Sequence, residues 1–222
     1  MNQFLCSPTL LKVCFGWLLA LGAAVAWADA LPVNEQAMYG EAPKTETMRR
    51  ADAAFIETML GQGLSREGAA KAVVERAWGI WRQGDKATAM RRFNQAWLLD
   101  PENSSAYHGF ALVVSDRGGE PAEVERLFRL ALAKPKAEAA AWVDYGRFLW
   151  KQQRLDESTT ALTKAMEIAP RALNARANLG FVHYLKRDAA SACSWGRQAV
   201  ENGEMLEPGF LDDMCRRAGT PP

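Results

Sequence analysis

The chain has 222 residues, with 27 basic side chains against 26 acidic ones and 49% hydrophobic residues. That balance lacks the concentrated basic footprint that nucleic-acid binding requires. The apolar share is enough to bury a core without help from a cofactor.

Residues 1–28 read as an export signal. Lys12 precedes an apolar run from Val13 to Ala28, shorter than the roughly 20 residues a membrane-spanning helix needs. Ala26-Trp27-Ala28 supplies the small-x-small cleavage pattern. The expected mature chain begins at Asp29 and is secreted, periplasmic in a Gram-negative bacterium, with no stable membrane insertion. An uncleaved anchor is the alternative. Cys6 and Cys14 do not follow the small residues of a lipoprotein site, so no lipid anchor is expected.

Residues 29–45 carry Pro32, Gly40 and Pro43 without a period, which predicts an extended arm. A helix is expected within 46–64, with Met48, Ala51, Phe55, Ile56 and Met59 on one face and Gly61 and Gly63 at its end. Ser65 with Glu67 is a plausible cap for the next helix.

From there the chain repeats. Ala96, Ala131, Ala165 and Ala199 are 35, 34 and 34 residues apart, and Ala77, Ala111, Gly146 and Gly180 are 34, 35 and 34 apart. Pro101, Pro135 and Pro170 close the first three units, because the residue before a proline is pushed out of helical geometry. The units are about 70–103, 104–137, 138–171 and 172–205. In the third, Trp142, Tyr145, Phe148 and Leu149 share one helical face, Lys151-Gln152-Gln153-Arg154 makes a turn, and Leu162, Ala165, Met166 and Ile168 line a second helix. Gly146 and Ala165 mark where two helices come close.

This pattern resembles the tetratricopeptide repeat. Trp142, Tyr145, Gly146, Leu149, Leu162, Ala165 and Pro170 match it, with Ser158 in place of the usual small Ala. Unit two departs by an extra residue in Gly118-Gly119-Glu120-Pro121, and unit four lacks a closing proline. The resemblance implies an all-α fold, a right-handed superhelical stack over 66–205. The helix within 46–64 precedes it, and 206–222 forms a capping helix and tail.

It also implies a concave groove lined by the first helix of each unit. The groove phases fall on Val74 and Trp78, His108 and Leu112, Val143 and Arg147, and Asn174, Asn178 and Phe181. Asn178 matches one residue of the family's carboxylate clamp, but Val74, His108 and Val143 replace its cations, so no clamp is expected. Asn103-Ser104-Ser105 fits a glycosylation sequon and also a helix cap, and the cap is favoured.

Cys193 and Cys215 remain after signal cleavage. An even count in an exported chain suggests a disulfide fastening the capping helix to unit four, with two separate thiols as the alternative. His108 and His183 belong to no metal-ligand spacing, and no nucleophile elbow, P-loop or dinucleotide fingerprint is present. The expectation is a non-catalytic scaffold that binds a protein or peptide, without metal or cofactor. The competing readings are thiol redox chemistry at Cys193 and Cys215, and self-association through unit edges or the arm.

Overall fold

The computed structural model describes residues 31–220; the predicted signal segment 1–28 and its cleavage pattern lie outside them. Ten α-helices and no strand occur among the described residues. They are α1 (Glu46–Leu60), α2 (Arg66–Arg82), α3 (Lys86–Leu99), α4 (Ser104–Asp116), α5 (Pro121–Leu132), α6 (Ala139–Lys151), α7 (Leu155–Ile168), α8 (Ala175–Leu185), α9 (Ala189–Glu201) and α10 (Phe210–Arg217). The pairs α2–α3, α4–α5, α6–α7 and α8–α9 pack as hairpins, each against the next, with α10 on α9 and α1 against α2 and α3.

Local chemistry sets the helix starts. The side chains of Ser65, Asp85, Asn103 and Asp188 each accept a hydrogen bond from the backbone N–H three residues on. Asn103 therefore acts as the cap that the sequence favours over a sequon. Asn174, which precedes α8 with φ 66°, makes no such bond. Glu204, buried beyond α9, caps α8 instead: its Oε2 accepts from Ala177 N at 2.8 Å.

The small-residue ladder is fully buried at Ala77, Ala96, Ala111, Ala131, Ala165 and Ala199. A Cβ on Gly146 would lie 2.7 Å from Leu162 Cγ, so the helices of unit three touch through a missing side chain. Ser158 departs from Ala for a visible reason: its Oγ donates to Gly146 O at 2.8 Å across that contact. A second close approach, at Gly109, has no counterpart in the ladder. A Cβ there would lie 2.3 Å from Phe93 Cε1.

Units two and three are also joined by charge. Glu125 on α5 accepts from Arg129 at 2.7 Å, from Arg154 at 2.8 Å and from Tyr145 Oη at 3.1 Å. Burial alone would raise the Glu125 pKa. The Arg154 and Tyr145 hydrogen bonds and the Arg154 and Arg129 charges outweigh it and hold the carboxyl below its ordinary value.

Cys193 and Cys215 are bonded and buried, tying α9 to α10. Both sulfurs are buried, whereas the redox reading requires accessible ones.

The segment before α1 differs from the expected extended arm. Val33–Glu35 and Ala37–Glu41 form 3₁₀ turns, and Met38, Tyr39, Gly40 and Glu41 all have positive φ. Such a left-handed run costs roughly 1–2 kcal/mol for each non-glycine residue. What holds it is Asn94 of α3, fully buried. Asn94 Nδ2 donates to Asn34 O at 3.0 Å and Gln36 O at 2.7 Å, and its Oδ1 accepts from Tyr39 N at 3.2 Å. Arg117 donates to Glu35 O at 2.7 Å, Arg91 pairs with the Glu35 carboxylate, and Arg126 pairs with Glu41 at 2.6 Å. Met38 is buried, and Lys44 Nζ sits 4.6 Å from the Tyr39 ring centroid. The distorted turn of unit two thus lies where Arg117 meets the arm. Residues 34–41 are therefore bound to their own chain rather than free.

Candidate docking face

The first helices α2, α4, α6 and α8 place the predicted groove residues, and the two ends of the row differ. At the α2–α4 end the side chains are spent on joining repeats. Val74, His108, Leu112 and Val143 are only 4–6% exposed. They differ from the groove expectation because neighbouring side chains cover them: Val74 and Leu112 belong to the core of the first repeats, Val143 packs with Leu162 and Leu179, and His108 meets Trp78 and Asp144. Trp78 is half-buried; its Nε1 donates to Ser105 Oγ at 2.8 Å, and its ring lies 4.9 Å from those of Phe93 and His108. Trp81 Nε1 donates to Asp116 Oδ2 at 2.9 Å, and His108 Nε2 is 2.9 Å from Asp144 Oδ2. Each of these bonds runs from one first helix to the next.

The α6–α8 end is open. Arg147 is exposed and, among the described residues, makes no ion pair. Lys151, one turn on, is exposed and lies 6.0 Å from the Trp150 ring centroid. Trp150 meets Phe181 edge-on at 4.8 Å, and Phe181 continues to Tyr184 at 5.7 Å and Phe210 of α10 at 6.5 Å. Tyr184 is 40% exposed. Asn178 is half-buried, and Asn174 is exposed at the start of α8.

The structure links Phe181 to Trp150, Tyr184 and Phe210, with Lys151 beside Trp150 and Arg147 one turn before Lys151 on α6; Trp150, Lys151, Tyr184 and Phe210 are not among the expected groove residues. A signal for two of them was present. Trp81, Ser115, Trp150 and Tyr184 recur at 34, 35 and 34 residues, the same step as the small-residue ladder. Phe210 carries no such signal, since it belongs to α10 outside the repeats.

Two clefts lie here, one between α6 and unit two and one that reaches the aromatic row at Tyr184. One of about 180 Å³ is lined by Leu112, Asp144, Arg147, Phe148 and Lys151, among others. The other, of about 480 Å³, is lined by Tyr184, Leu185, Arg187, Ala189, Met214 and Arg217. Cationic and aromatic groups around such recesses can take carboxylates and flat apolar side chains.

No protein-family model matches the chain. Over 129 residues it is 27% identical to the type IV pilus assembly protein PilF of Pseudomonas aeruginosa. The match covers 57% of this chain and 51% of PilF, so the chain spans about half the length of that curated relative. The solved structure of PilF superposes with a TM-score of 0.62 at 23% identity, over 70% of this chain and 72% of that one. PilW, a type IV pilus biogenesis factor, gives 0.56 at 20% identity over 79% and 88%. YrrB, a TPR protein with an unusual peptide-binding site, gives 0.50 at 18% identity over 66% and 76%. These likenesses establish the tetratricopeptide-repeat fold.

Proposed function

We propose that the chain is a protein-interaction scaffold of the cell envelope that docks a peptide or an extended protein segment along its first-helix face. The observation that carries this reading is the open end of that face, where the cations of Arg147 and Lys151 adjoin the Trp150–Phe181–Tyr184 row. Arg and aromatic side chains supply a large share of binding energy at protein interfaces. Bound by the disulfide and the inter-repeat bonds, the face is preformed, which limits the ordering cost of docking. The envelope setting is supported by the export-type sequence of residues 1–28 and by the pilus-assembly relatives.

The test is affinity capture from the envelope fraction with wild-type and Arg147→Ala/Tyr184→Ala baits, after circular dichroism confirms equal helicity. Partner recovery should fall sharply with the double variant. A partner retained equally by both baits would show that this face does not dock it. A fractionation that leaves the chain in the cytoplasm would remove the envelope part.

A further inference from the structure

Four carboxylates near α6 and α8 have partners, whereas three cations there make no ion pair among the described residues. Asp144, which shares a cleft with Arg147 and Lys151, is held by His108 Nε2. Asp156 pairs with Lys186 at 2.6 Å, and Asp188 Oδ2 lies 3.1 Å from His183 Nδ1. Asp213 pairs with Arg217 at 2.9 Å. Arg147, Lys151 and Arg187 make no ion pair among the described residues. Arg147 and Lys151 are four residues apart on one helix, so they present their charges side by side. The contact between Trp150 and Phe181 joins that helix to α8, and Arg187 adjoins Tyr184 in the second cleft. Cations without an ion-pair partner thus stand near both ends of the aromatic row.

We infer that this end of the face receives an acidic protein segment bearing an aromatic or large apolar side chain. Its carboxylates would meet Arg147, Lys151 and Arg187, and the ring would stack against Tyr184 and Phe181. The inference rests on the docking reading above and adds the chemistry of the partner. Opposite charges across the contact would speed association and make it salt-sensitive. A peptide is favoured over a polyanionic surface because these three cations are few and the chain as a whole carries balanced charge.

The experiment uses fluorescence anisotropy with two labelled synthetic peptides of equal length. One alternates Asp or Glu with Phe, and the other carries Lys at every acidic position. Vesicles containing phosphatidylglycerol form a third arm, read by co-sedimentation. The acidic peptide should bind, weaken with added salt, and lose at least about tenfold in affinity with Arg147→Glu/Lys151→Glu. Both side chains are exposed and unpaired, so this variant should fold, and it should gain affinity for the Lys peptide. The inference is overturned if the acidic peptide does not bind, if charge reversal leaves its affinity unchanged, or if only the vesicles bind. A neutral or basic segment captured on this face in the bait experiment would overturn the inference and leave the docking reading standing. Loss of all capture dependence on the face would remove both.

Discussion

Asn94 is the residue on which the N-terminal arm depends, and Asn94→Ala would release it. The left-handed run includes Met38, Tyr39 and Glu41, three non-glycine residues. At roughly 1–2 kcal/mol each, the conformation costs roughly 3–6 kcal/mol. Asn94 makes three hydrogen bonds to the arm. At roughly 0.5–1.5 kcal/mol net apiece, they contribute roughly 1.5–4.5 kcal/mol, so their loss removes a quantity comparable with the backbone cost. A middle value of about 3 kcal/mol raises the undocked population roughly a hundredfold. Hydrogen exchange should show it at the Tyr39 amide, which donates both to Asn94 Oδ1 and to Gln36 O of the arm turn, each at 3.2 Å. Ultraviolet titration gives a second readout. Burial, with a smaller contribution from the Asp52 charge, pushes the Tyr39 hydroxyl up to about 12, and on release it should titrate near the ordinary tyrosine value of about 10. Far-ultraviolet dichroism should hardly change, because the arm contains no α-helix. If the Tyr39 amide stays protected and its hydroxyl still ionises as in the wild type, Asn94 does not hold the arm.

Gly109→Ala should destabilise the fold by about 1–3 kcal/mol in urea denaturation, despite the better helix propensity of Ala, because Phe93 is fully buried and cannot withdraw. Breaking the disulfide with Cys193→Ser/Cys215→Ser should cost about 3 kcal/mol by the loop-entropy model, given the separation of 22 residues, with exchange rising first in α10. Thermal melts of the wild type with and without reductant should show the same difference, and identical melts would deny the bond its stabilising role. The Glu125 carboxyl is held low in the folded state, so it stabilises above the unfolded pKa of about 4.3 and loses that contribution as pH falls through the folded value. The urea midpoint should therefore drop on acidification below about pH 4, and less steeply in Glu125→Gln. Equal slopes for the two proteins would refute that role for Glu125.

The repeats were legible because their packing recurs. Ala77, Ala111, Gly146 and Gly180 sit at one phase for one reason, and a period makes a reason visible in a sequence. Features that occur once were not. Gly109 faces Phe93 in a single unit, Glu204 caps a helix 27 residues behind it, and Asn94 serves an arm some 58 residues earlier. The groove was misplaced at Val74, His108, Leu112 and Val143 because periodicity gives the face of a helix but not whether a neighbouring helix covers it. Phase alone placed Trp78 in the groove, where Ser105 and His108 engage it. Trp150 and Tyr184, one turn further along their helices, are the aromatic groups of the open end.

The arm is fastened to α3 and to the turn and helix of unit two, on second helices rather than on the first-helix face. That placement decides how the molecule would carry a mechanical load. A pull on the chain preceding residue 31 would not peel α1 away from its end, one turn at a time. It would first meet the contacts of residues 34–41 with Asn94, Arg117 and Arg126, which precede α1 in the chain. The arm and the α6–α8 end share no residue, so undocking the arm would leave Trp150, Phe181 and Tyr184 in place.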